Sequence, residues 1–100
     1  DVGICGKVII IQKAMNKNVN VEIRYNSKQG VNKEIPPVKI VKFIDKNLFY
    51  LISIENGELA YYRINRIIDI KLTKTKSIVS DEDLKLLDIF DYGYHICNRH

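Results

Sequence analysis

The chain has 100 residues, 46% hydrophobic and 28% charged, with 16 Lys and Arg against 12 Asp and Glu and a net charge of +4. This is an ordinary globular mixture, sized for one domain with at most a short appendage, and it argues against intrinsic disorder. The apolar run Val8-Ile9-Ile10-Ile11 is far short of a membrane span, and no signal-peptide pattern appears.

In chain order, residues 7–17 read as a short helix. Val8, Ile11 and Met15 recur at helical spacing beside Ala14, with Lys7, Lys13 and Lys17 mostly elsewhere and Gly3 and Gly6 ahead of it. Val19 to Tyr25 alternates without a fault and is the clearest strand. Asn26 to Gly30 is a loop of turn formers. Val31 to Ile35 starts a second strand, and Pro36-Pro37 then removes two ladder donors and forces an edge or corner. Val38 to Ile44 resumes strand character, and Asp45-Lys46-Asn47 turns the chain.

Leu48 to Ile54 is apolar on both faces, with Leu48, Tyr50, Ile52 and Ile54 on one and Phe49 and Leu51 on the other. Such a strand belongs inside a closed or two-layer structure. Asn56-Gly57 is a hairpin signal, since both residues tolerate positive φ. Leu59 to Ile64 and Ile67 to Thr73 follow as strands joined by Asn65-Arg66. Ser80 with Asp83 suits a helix cap, Asp81 to Asp83 suit the positive end of the helix dipole, and Leu84, Leu87 and Phe90 give that helix an apolar stripe. From Tyr92 onward there is no periodicity. The sum is helix, five short strands, helix, and short strands with tight turns favour a barrel, whose closure removes exposed edges. The barrel with its lead-in helix occupies residues 1–79, and a C-terminal acidic helix and tail occupies 80–100.

The charge is unevenly spread. Nine basic residues and three acids lie between Lys7 and Lys46, and five acids with one base between Asp81 and Asp91. A basic body attracts polyanions over roughly a Debye length, about 8–10 Å. A solubilising surface is the plain alternative.

Nothing points to catalysis. A nucleophile elbow, an HExxH motif and a Gly-rich phosphate loop are all absent, and both histidines, His95 and His100, fall in the last six residues. We expect no enzyme and no cofactor. Cys5, His95, Cys97 and His100 match no zinc spacing, so no metal site is expected, and two cysteines make no disulfide framework. The chain reads as cytoplasmic, with no membrane partner.

Lys outnumbers Arg twelve to four, yet Arg24, Arg63 and Arg66 all fall within the proposed barrel. A guanidinium offers a planar fork of donors to phosphate or carboxylate. Tyr25, Tyr61 and Tyr62 are placed to stack bases or donate hydroxyls, with Tyr61 and Arg63 on one side of their strand and Tyr62 opposite. Two readings stay open: an anion site, or structural arginines paired with barrel acids beside core tyrosines.

Several motifs in order resemble the WYL domain, an SH3-like or Sm-like barrel of bacterial transcription regulators. Phe49-Tyr50-Leu51 stands where that family has Trp-Tyr-Leu, and Tyr62-Arg63-Ile64-Asn65-Arg66-Ile67 where it has Phe-Arg-Leu-Asp-Arg-Ile. Ile23-Arg24-Tyr25 matches the end of its first strand, Pro37 with Lys39-Ile40 the start of its middle hairpin, and Lys13-Ala14 its lead-in helix. The departures are Phe49 for Trp, Asn65 for Asp, Ala60 where many members carry Arg, and a slightly longer stretch between Pro37 and Phe49.

The resemblance implies an effector-binding regulatory domain taking a nucleic-acid or nucleotide-like anion. Arg63 and Arg66 would hold phosphate, and Tyr25 and Tyr50 would shape the site or stack, joined by Tyr61 from its place beside Arg63 on the alternating strand. Tyr50 reads equally well as core, and Arg66 as the cap of a turn. The resemblance also implies a homodimer that contacts DNA only through an N-terminal DNA-binding domain. The residues ahead of the first strand are too few for a winged helix, and a chain beginning on Asp1 reads as a piece of a longer protein. The alternative is an SH3-like interaction or dimerisation module without a ligand, with the acidic tail docked on a basic barrel.

Overall fold

A computed structural model describes residues 3–25, 32–43 and 45–91, with side chains through Asp88 in the last stretch. Helix α1 (Ile4–Lys17) leads into β1 (Val19–Tyr25), β2 (Lys33–Ile35), β3 (Pro37–Phe43), β4 (Leu48–Glu55) and β5 (Glu58–Arg63). A 3-10 turn (Ile64–Arg66), β6 (Ile67–Lys76), α2 (Asp81–Leu84) and a second 3-10 segment (Lys85–Asp91) follow. The loop at 26–30, the histidines, Cys97 and the chain from Tyr92 lie outside the described residues, as does the side chain of Phe90.

The helix starts earlier than its apolar spacing predicts and includes Gly6. It ends at Asn18, whose φ of 56° lets its N–H turn back onto the last helical carbonyls. Its buried residues are Lys7, Ile11 and Ala14, one face at i, i+4 and i+7. Lys7 therefore departs from expectation: it is buried as part of the packed face.

The strands form two antiparallel three-stranded sheets, ordered β2-β1-β6 and β3-β4-β5. Among the described residues six strands stand where five were expected, and their ladders do not close a barrel. The cause is Pro36, which interrupts the expected second strand. The part before it pairs with β1 through Val21–Ile35, and the part after it opens with Pro37 opposite Ser53 of β4. Pro37 fits there because a first strand position tolerates a missing donor.

One core cluster draws on every strand and on α1, including Ile11, Val21, Ile23, Ile35, Leu51, Tyr62, Ile64 and Ile67. Each such isoleucine contributes roughly 1.5–3 kcal/mol through burial. A second cluster lies on the other face of β4. Val41 and Ile52 are its buried centre, flanked by Phe43, Tyr50, Leu59 and Leu87. Both faces of β4 are thus packed, as its sequence required. Leu87 covers the outer face from the C-terminal segment.

That segment starts as its sequence predicts. The Asp83 N–H donates to Ser80 Oγ at 3.0 Å. The α-helix then lasts one turn and tightens to 3-10 geometry, so the regular striped helix is not formed. Residues three apart eclipse in a 3-10 helix. Leu84 stays 41% exposed while Leu87 reaches the sheet.

Candidate functional site

The outer face of the second sheet gathers three of the predicted site residues. Tyr50 on β4 lies directly opposite Arg63 on β5, and Ile52 lies opposite Tyr61. Alternation along β5 sends Tyr61 and Arg63 to this face and Tyr62 to the core. The Tyr50 ring meets Phe43 edge-on at 5.1 Å and Tyr61 edge-on at 6.5 Å. Tyr50 is therefore both core and surface: it packs on Val41 and Ile52 and borders the open side where Tyr61 is 42% exposed.

Arg63 is half-buried, and its Nε is shut off from solvent with no hydrogen-bond partner among the described residues. A buried guanidinium N–H normally has a partner, because leaving it unpaired costs about 1–3 kcal/mol or more. Neither Arg63 nor Arg66 forms an ion pair among the described residues; the ion pair found there joins Lys33 to Glu55. Among the described residues, no carboxylate is tied to Arg63 or Arg66.

Tyr25 reaches the site from beneath. Its hydroxyl accepts the Arg63 main-chain N–H at 3.0 Å, and its ring meets Tyr62 edge-on at 5.1 Å. It fixes the position of Arg63 and belongs to the packed interior edge. Arg66 sits exposed in the 3-10 turn, near the carbonyl end where a cation is favoured. Arg24 points its Nε at Asn32 Oδ1 at 3.3 Å, on the first sheet.

A network that the sequence did not signal braces the site from the other side. Lys33 Nζ lies 2.7 Å from Glu55 Oε1, and the Tyr62 hydroxyl donates a short hydrogen bond to Glu55 Oε2. The Lys33 ammonium also sits 5.7 Å from the Tyr62 ring centre. The hydrogen bond to Glu55 raises the Lys33 pKa, and burial raises that of Tyr62, with Glu55 adding to it. The network ties β2 to β4 and β5, and local sequence cannot show it because its members pair across three strands.

No family model matches the chain, and no curated protein matches it. Among solved structures it is similar to proteasome accessory factor B/C (PafBC) of Arthrobacter aurescens, with a TM-score of 0.63 and 13% identity. The match covers 77% of this chain and 13% of that one, so the chain spans a small part of PafBC. The likeness is one of fold.

Proposed function

We propose that this chain is a regulatory WYL-type domain that binds an anionic nucleic-acid or nucleotide-like effector on the outer face of its second sheet. The observation that carries this is the Arg63 Nε, buried and without a hydrogen-bond partner among the described residues, beside the rings of Tyr50 and Tyr61. A phosphate would bind the guanidinium fork, which suits two such bonds, and the Nε would gain its partner as the side chain swings outward onto the ligand. A base or ribose would lie against Tyr61, the more exposed ring. Arg66 would add charge from the adjoining turn, and Tyr25 would hold the Arg63 main chain in register.

Regulation would follow if the effector favours one arrangement of a homodimer over another, since a ligand shifts an equilibrium only through differential affinity. DNA contact would come through a separate DNA-binding domain. The alternative of a ligand-free interaction module, its tail docked on a partner barrel, gains no support from Leu87, which packs on its own sheet.

The test is fluorescence anisotropy with short labelled single-stranded DNA and RNA at low and moderate salt. Saturable binding that Arg63→Ala weakens roughly tenfold or more supports the site, given the strength of charged hydrogen bonds. Binding that Arg63→Ala and Arg66→Ala leave intact sinks it.

A further inference from the structure

The β1–β6 ladder pairs Tyr25 with Ile67 at the Arg63 end and Val19 with Lys76 at the other, about 20 Å away by strand rise. At that far end an open groove of about 630 Å³ is lined by Lys17, Val19, Leu72, Thr73, Lys74 and Lys76. Three of the six are lysines and none is acidic. All three lysines are exposed, and none forms an ion pair among the described residues.

The local backbone places them together. The left-handed Asn18 turns the chain sharply between α1 and β1, which leaves Lys17 beside the start of the ladder. Opposite it, the β1–β6 register shifts between Val19 and Val21, so β6 carries extra residues there. Side chains hold this bulge: Thr73 Oγ1 donates to the Asn20 carbonyl at 2.8 Å and accepts the Thr75 N–H at 3.2 Å. Ser77 Oγ donates to Asn20 Oδ1 at 2.9 Å. A bulge secured in this way fixes where neighbouring side chains point. Leu72, Lys74 and Lys76 line the groove from this bulged stretch of β6. Leu72, 38% exposed, gives the floor an apolar strip.

We propose that this groove is a second anion site, taking the sugar–phosphate backbone of a single-stranded nucleic acid. Successive phosphates meet Lys17, Lys74 and Lys76 as point charges, and Leu72 lies under the sugars. The assignment of ligand class rests on the reading of the Arg63 face. It deepens that reading by making the effector an oligonucleotide that engages both ends of the ladder, not a free nucleotide.

The experiment uses two probes, labelled thymidine monophosphate and an oligothymidylate of about fifteen nucleotides. Each is titrated across a salt series against wild type, Arg63→Ala and the triple variant K17Q/K74Q/K76Q. Single strands lose about 0.7 in the log–log salt slope per phosphate contact, so the triple variant should flatten the oligomer slope by about 2. It should leave the mononucleotide unchanged, whereas Arg63→Ala should weaken both probes. Surface substitutions of this kind change stability little, and a matching melting curve verifies the fold. An unchanged oligomer slope in the triple variant overturns the groove and leaves the Arg63 reading standing. Wild type that binds neither probe overturns both. Displacement of the oligomer by polyglutamate at equal charge concentration overturns the assignment to nucleic acid in favour of an acidic peptide.

Discussion

The Tyr25 hydroxyl accepts the main-chain N–H of Arg63 at 3.0 Å, across 38 residues of sequence. It joins the end of the first sheet to the end of the second, where no ladder bond does so among the described residues. Tyr25→Phe keeps the ring contact with Tyr62 and removes the acceptor. We expect a loss of about 1 kcal/mol or more in urea unfolding, since a part-buried donor is left unpaired. The same variant should weaken anion binding through a displaced Arg63. Unchanged stability would mean that the seam is held elsewhere.

The alkaline limb of the stability curve reports the Lys33–Glu55–Tyr62 network. Both Lys33 and Tyr62 have folded-state pKa values above their ordinary ones. The folded protein therefore holds these protons to higher pH than the unfolded chain does. Their contribution is complete below about pH 10 and is lost as pH climbs through the folded values. Urea midpoints measured from neutral pH upward should fall beyond that point. Tyr62→Phe should lower stability at neutral pH and make the alkaline fall shallower; an equally steep fall would assign it to other groups.

The hairpin between β4 and β5 depends on Asn56 and Gly57, at φ of 54° and 78°. A Cβ at Gly57 meets nothing within 4 Å, so the cost of Gly57→Ala is conformational. It should reach about 1 kcal/mol, with Gly57→Asn costing less because Asn tolerates this region. Equal losses for the two would mean the cost has another source.

The C-terminal segment should protect the outer face of the second sheet. Ile52 is fully buried there with Leu87 beside it, as Leu51 is on the inner face. Ile52→Ala and Leu51→Ala should each cost about 2–5 kcal/mol. A chain ending at residue 79 should bind a hydrophobic dye more strongly and lose much of the penalty at Ile52, but keep that at Leu51. If truncation leaves the Ile52 penalty intact, the face is covered from elsewhere.

Local patterns carried the reading of β1, of β4 with its two packed faces, of the Asn56-Gly57 turn and of the Ser80 cap. Each depends on neighbours within a few residues, where periodicity and turn chemistry act. Arg63 and Tyr61 were legible as a pair because alternation puts them on one face, and Tyr50 because a β4 apolar on both sides had to offer one side outward. Three features were not legible. The split at Pro36 depends on which partners the halves find, and those partners are distant. The burial of Lys7 follows from its place on the face of Ile11 and Ala14, whereas its charge argues for exposure. The Lys33–Glu55–Tyr62 network joins residues whose proximity exists only after folding.

Strand β1 finds its longest partner in β6, the last of the described strands to be synthesised. Until β6 emerges from the ribosome, β1 can pair with the three residues of β2 and little else. The first sheet therefore waits on nearly the whole domain, and such non-local closure makes folding slow. During that interval the growing polypeptide carries an alternating apolar strand with an open edge, a template for self-association. Assembly of this domain is thus a race between completing its own sequence and finding a neighbour's.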